Sequence, residues 1–156
     1  MTNTVSFFVF SYILISIYNI KQYLFGLFVS ICTSTIIFAY YPMVIGFSLV
    51  VMSLHAIAFV VCSHKLYHNL SSGYVDKIEM YTTVVHFLVL LYMSKQVMID
   101  ISFYVGIFQH NASVLFNMIS FSGISNGYSP TSAKLHLYGS MAGFVIGSIL
   151  IVLYKN

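Results

Sequence analysis

Long apolar runs, broken by very little charge, constrain this chain more than any other feature. They occupy about residues 5–20, 23–41, 43–63, 80–99 and 136–154, each near the roughly 20 residues that a helix needs to cross a hydrocarbon core. A water-soluble fold would have to hide these runs beneath a polar shell. Six lysines and three acids in 156 residues, with charged residues at 6% of the total, cannot supply one. The bilayer is therefore the expected solvent, and the mean hydropathy of +0.94 agrees. The expectation is an all-α, polytopic transmembrane helix bundle of about five spans, forming a single integral membrane domain over 1–156.

Lys21-Gln22 closes the first run, and Pro42 separates the second from the third by pushing the preceding residue out of helical geometry. The stretch from His64 to Glu79 reads as the most polar connection, with Ser71-Ser72-Gly73 as its flexible point. Ser94-Lys95-Gln96 and Asp100 bring charge to the far end of the fourth span. Residues 101–123, interrupted by Gly106, Gln109, His110, Asn111 and Asn117, read as an interfacial or partner-covered segment, because irregular backbone at membrane depth must be shielded by protein. A loop over Ile124–Lys134 carries Pro130 and precedes the last span. Five crossings place the termini on opposite sides. Lys21, Lys65, Lys77 and Lys155 then share one side, and Lys95 and Lys134 the other, so the positive-inside rule turns the C-terminal side towards the cytoplasm or matrix.

Met1-Thr2-Asn3-Thr4 leads into the first run without a basic residue, unlike a secretory signal or a transit peptide. Arginine and tryptophan are absent, while phenylalanine (14) and tyrosine (13) abound, a bias of the kind AT-rich organelle genomes impose. Synthesis inside the organelle that uses the protein is the expectation. No basic cluster points to nucleic acid. Cys32 and Cys62 lie within apolar runs without metal-ligand spacing and are expected to be buried free thiols.

Histidines carry what chemistry the spans hold. His55 and His86 fall near the middles of consecutive long runs, where ionisable groups are costly and face a bundle interior, a partner or a water path. Two readings stay open: both ligate a b-type haem axially, or each hydrogen-bonds a neighbouring helix or lines a hydrated path. His64 and His68 share a helical face at i, i+4, but no third ligand stands near, so interfacial anchoring is expected in place of a metal. The series Gly139, Gly143 and Gly147 is a doubled small-xxx-small pattern that lets another helix approach closely, and a second chain is its expected neighbour. There is no paired intramembrane carboxylate, nucleophile elbow, phosphate loop or zinc-protease helix, so autonomous catalysis is not expected.

The run Leu54-His55-Ala56-Ile57-Ala58-Phe59-Val60-Val61 resembles the third transmembrane helix of NADH:ubiquinone oxidoreductase chain 6, a mitochondrially encoded membrane subunit of respiratory complex I, whose pattern is Tyr-Val-Gly-Ala-Ile-Ala-Val-Leu-Phe. Asn19-Ile20-Lys21-Gln22-Tyr23 is similar to the family's turn between its first two helices, and Val145-Ile146-Gly147-Ser148-Ile149-Leu150-Ile151 to its closing helix. His55 stands where the family has glycine. The resemblance implies a multi-pass subunit of the mitochondrial inner membrane, part of the electron-transport chain and its supercomplexes. It would contribute to coupling quinone reduction to proton translocation and bind no cofactor itself. It also implies that Ser53, Leu54, His55, Ala56, Ile57 and Ala58 occupy a π-bulge able to convert to regular helix, and that other membrane subunits and lipids such as cardiolipin are the partners. Asp100 after Gln96-Val97 resembles the anchor subunits of succinate dehydrogenase, which keeps the haem reading as an alternative. A lineage-specific structural subunit is a third.

Overall fold

The computed structural model describes residues 3–40, 46–73, 76–95, 98 and 130–154. They form five helices, α1 (Asn3–Ile17), α2 (Ile20–Tyr40), α3 (Gly46–Ser71), α4 (Lys77–Met93) and α5 (Pro130–Leu153), with no strand among the described residues. The fold is an all-α bundle. Three of the helices contain segments long and apolar enough to cross a membrane, at Ile20–Ile37, Phe47–Ser71 and His136–Leu153. That is fewer than the five full spans expected. The apolar α1 has 15 residues and reaches only about 22 Å, while α4 opens with Lys77 and Glu79 in its first turn.

Local chemistry explains where the helices begin and end. The first break falls at Tyr18-Asn19, three residues before the expected one, because Asn19 and Gln22 form a reciprocal capping box. Gln22 N–H donates to Asn19 Oδ1 at 3.0 Å, and Asn19 N–H donates to Gln22 Oε1 at 3.1 Å, satisfying two of the orphan donors at the start of α2. The expected connection at His64 is instead two further turns of α3. Nothing between Ser63 and Ser71 breaks a helix, and Lys65 Nζ holds Glu79 Oε1 of α4 at 2.9 Å. The chain turns only near Gly73, whose φ of +67° is a conformation that glycine adopts without a Cβ penalty. Asp76 Oδ1 then accepts from Ile78 N–H at 3.2 Å and caps α4. Pro130, expected in a loop, is the first residue of α5, where its missing N–H costs nothing and its fixed φ suits the helix. Pro42, the segment 101–123 and residues 124–129 lie outside the described residues.

The bundle is built around α3, which packs against each of the other helices and most extensively against α5. Contacts fix the directions. Asn3 with Ser48 and Phe10 with His55 run α1 parallel to α3. Paired rises of Leu49 with Gly139, Ser53 with Gly143 and Ile57 with Gly147 run α5 parallel to it as well. His55 with Leu90, Cys62 with Thr83 and Lys65 with Glu79 make α4 antiparallel. One end of the bundle therefore gathers the end of α1, the start of α2, the end of α3, the start of α4 and the end of α5.

Large apolar side chains face outwards as well as into the core. Phe8, Tyr12, Phe28, Tyr81, Tyr92 and Val152 are exposed, whereas Ser11, Ser30, Ser53, His55, Thr83 and His86 are buried. Apolar side chains outside and hydrogen-bonded polar side chains inside are what a lipid environment selects. The chain is a membrane protein. Cys62 is buried as expected, but Cys32 is exposed, because it lies on the outward face of α2 beside Ile31 and Ile36, which are exposed too.

Candidate functional site

Ser53–Ala58 is enclosed more completely than any other stretch of the described residues. Leu54, Ile57 and Ala58 have no accessible surface, and Ser53 and Ala56 have almost none. It is regular α-helix throughout, so the wide turn that the resemblance implies for these residues is not present in this state. Each neighbour grips a different side of it. Ser53 Oγ donates to Ser30 Oγ of α2 at 3.0 Å, and the glycine ridge of α5 lies along Leu49, Ser53 and Ile57. A Cβ on Gly143 would fall 2.8 Å from Ala56 Cβ and within contact distance of the Ser53 carbonyl oxygen. The neighbour of Gly139, Gly143 and Gly147 is thus α3 of the same chain. A small-residue ridge needs no matching ridge opposite. Here it seats the backbone of Leu49, Ser53 and Ile57 and the side chains of Met52, Ala56 and Val60 of a central helix.

His55 sits 4% exposed where α1, α3 and α4 meet. Its Nε2 lies 3.3 Å from Leu90 O and 3.3 Å from Ser94 Oγ, and Ser94 Oγ donates to Leu90 O at 2.8 Å. A carbonyl oxygen only accepts, so the arrangement assigns the proton to Nε2. That N–H is shared between Leu90 O and Ser94 Oγ, and the carbonyl takes both donors on its two lone pairs. Ser94 meanwhile bonds back to the carbonyl four residues before it, as hydroxyl side chains in helices do. On the other side the Phe10 ring stacks over the imidazole, with centroids 4.8 Å apart and planes tilted by 35°.

His86 lies two helical turns before Ser94 on the same face of α4 and turns to α1. Its Nδ1 is 3.4 Å from Ser16 Oγ, whose hydroxyl also donates to Ile13 O at 2.7 Å, and Tyr12 meets its ring edge-on at 5.9 Å. The two histidines belong to one polar seam between α1, α3 and α4, but each is turned to its own partners. His55 Nε2 is engaged by Leu90 and Ser94, and Phe10 lies against one face of its ring. Among the described residues no group of three or more His, Cys, Asp or Glu side chains is placed to hold a metal ion. His64 and His68 share the helical face expected of them, but on α3 and not in a loop.

Sequence reasoning identified His55 and His86 but not the residues that complete the seam. Phe10 and Leu90 are ordinary apolar residues in apolar runs, and Leu90 contributes only its carbonyl. Ser94 had a signal: with His86 and Leu90 it repeats at four-residue spacing, which places all three on one face. Compared with known proteins, the chain matches no family model, no curated protein and no solved structure.

Proposed function

We propose that this chain is a non-catalytic membrane subunit of respiratory complex I, in the place of chain 6 in the mitochondrial inner membrane. Its α3 would serve as a coupling element between quinone reduction and proton translocation. The observation that carries the reading is a central helix enclosed by four others, with an ionisable side chain at its most buried point. Such a residue inside a membrane is a functional candidate by default.

Inserting one residue's worth of turn, as a π-bulge at Ser53–Ala58 does, rotates the helix on one side of it by about 100°. That rotation withdraws His55 from Leu90 O and Ser94 Oγ and opens the seam to water. The regular α form keeps the seam closed, and Gly143 against the Ser53 carbonyl holds that form. In this proposal the chain binds neither NADH, flavin nor iron–sulfur clusters. Its apolar exterior meets lipid and neighbouring subunits.

The test is to tag the chain, solubilise the membranes gently and separate the native assemblies. Co-migration with NADH:quinone oxidoreductase activity is the expected result. Co-migration with succinate dehydrogenase, together with a reduced b-type haem spectrum lost on His55→Leu, would overturn the proposal in favour of a haem-bearing anchor. Migration apart from every respiratory complex would overturn both.

A further inference from the structure

The bundle end that gathers five helix termini opens into a cleft of about 820 Å³, away from the His55 seam. Its lining is apolar at Ile17, Val61 and Ile151 and polar at His64, Lys65, His68, Asn69, Asp76 and Glu79. Asn69 is the informative member. It is 8% exposed, and its side-chain Nδ2 meets no acceptor among the described residues. A buried amide donor without a partner is costly, on the order of 1–3 kcal/mol, and such groups in native structures call for an explanation.

Depth in the membrane narrows the choice of ligand. The 26 residues of α3 extend for about 39 Å, beyond the roughly 30 Å of hydrocarbon. Its final turns, from His64 onwards, therefore rise to head-group level. Lys21 and Lys77 begin α2 and α4 at the same end, and the rings of Tyr18 and Tyr154 lie 6.5 Å apart at the cleft. Aromatic and lysine side chains of this kind belong at a membrane interface.

Charge narrows it further. Lys65 is already paired with Glu79 at 2.9 Å, and Asp76 uses one oxygen on the Ile78 N–H and keeps the other. A doubly anionic head group would meet two carboxylates with one lysine to offset them. A head group bearing both a phosphodiester and a primary ammonium finds a match for each. We infer that this cleft binds the head group of a zwitterionic aminophospholipid of the phosphatidylethanolamine type, with Asn69 Nδ2 and the neighbouring histidines facing the phosphate and Asp76 and Glu79 facing the ammonium. One acyl chain then follows Ile17, Val61 and Ile151 into the bilayer. The site stands independently of which complex the chain joins.

Lipid binding to the purified full chain in detergent, followed by native mass spectrometry, tests this. The probes are phosphatidylethanolamine, phosphatidylcholine, cardiolipin and water-soluble glycerophosphoethanolamine. Phosphatidylethanolamine is expected to bind at least tenfold more tightly than phosphatidylcholine, whose ammonium has no N–H to donate, and more tightly than cardiolipin. Asn69→Leu should weaken it about tenfold. Asp76→Asn retains the helix cap, since Asn and Asp cap about equally well, and should bring phosphatidylethanolamine close to phosphatidylcholine even if Asn69→Leu does not fold. Tighter binding of cardiolipin, equal binding of all three lipids, or an unaltered preference in Asp76→Asn overturns the inference. Competition by glycerophosphoethanolamine as strong as that by the lipid overturns the lipid as occupant and assigns the cleft to a soluble phosphodiester.

Discussion

Replacing the three ridge glycines of α5 one at a time by alanine should produce a graded series, with the order set by what each new Cβ meets. At Gly143 it would press on the Ser53 carbonyl and stand 2.9 Å from Ser53 C and 2.8 Å from Ala56 Cβ. Two of these three are backbone atoms of a helix that is packed on every side, so they cannot yield as a flexible side chain would. Overpacking of this kind costs about 1–3 kcal/mol, and the upper part of that range applies. Alanine's better helix propensity offsets about 1 kcal/mol, leaving Gly143→Ala destabilised by about 2 kcal/mol. Gly139 is milder, with 2.8 Å to Leu49 O and 3.2 Å to Met52 Cβ. Gly147 is nearly permissive, its shortest approaches being 3.2 Å to Ile57 Cα and Val60 Cβ. There propensity and strain nearly cancel. Reversible unfolding in mixed micelles, read as helicity against denaturing detergent, gives the three differences. The reasoning is refuted if Gly147→Ala is as damaging as Gly143→Ala, or if Gly143→Ala unfolds like the parent chain.

Three further outcomes are expected. His55→Leu leaves Leu90 O with its Ser94 donor, so stability changes by no more than about 1 kcal/mol; under the function proposed above, proton pumping per NADH should fall while NADH oxidation persists, and unchanged pumping would leave α3 a scaffold. A double-mutant cycle with Ser30→Ala and Ser53→Ala should return a coupling of about 0.6 kcal/mol, the average for polar pairs inside membranes, and a coupling of zero would mean the two hydroxyls do not meet. Burial raises the Tyr18 phenol from 10.0 to about 12, so between those values the unfolded chain releases a proton that the folded chain keeps. The stability this group leaves intact below pH 10 is therefore lost as pH climbs towards 12. Tyr18→Phe should flatten that part of the unfolding profile, and identical alkaline profiles would contradict the burial of the phenol.

Helix type and rough placement were legible because a bilayer demands runs of about 20 apolar residues, and such runs survive any ambiguity in periodicity. Boundaries were less so. The end of α3 was read from polarity at His64, yet polar residues at head-group depth do not stop a helix; the glycine nine residues later does. The Asn19 and Gln22 capping box was present in the sequence, at the spacing that identifies such a box, and went unused because the charged Lys21 drew the boundary. His55 and His86 were legible as exceptions in apolar runs. Their partners were not, since a backbone carbonyl and a phenylalanine face leave no mark on sequence. The glycine ridge predicted close packing, but sequence cannot say that α5 turns it on α3, because that pairing joins segments some ninety positions apart.

The contacts along α3 differ in kind between its two halves. Towards its start the helix is held by backbone seated against Gly139 and Gly143 and by the Ser48 and Ser53 hydroxyl pairs. Towards its end it is held by Gly147 seated 3.2 Å from Ile57 Cα and Val60 Cβ, by Phe59 against Phe87 and Phe144, by a thiol contact of 3.6 Å from Cys62 to Thr83 O and by the Lys65–Glu79 pair, whose side chains are 27% and 48% exposed. An ion pair so exposed contributes at most about 1 kcal/mol, and a thiol is a weak donor. In the rearrangement proposed above, the backbone up to Ser53 is held in register with α5 by Gly139 and Gly143, and the turn is taken up from His55 onwards. The second half ends at the cleft holding Asn69, and turning it would move Lys65 and Asn69 together. In that proposal the occupant of the cleft and the state of the His55 seam would be coupled through one stretch of helix, and a ligand that favours one rotational setting of Asn69 would bias the seam by its difference in affinity for the two settings.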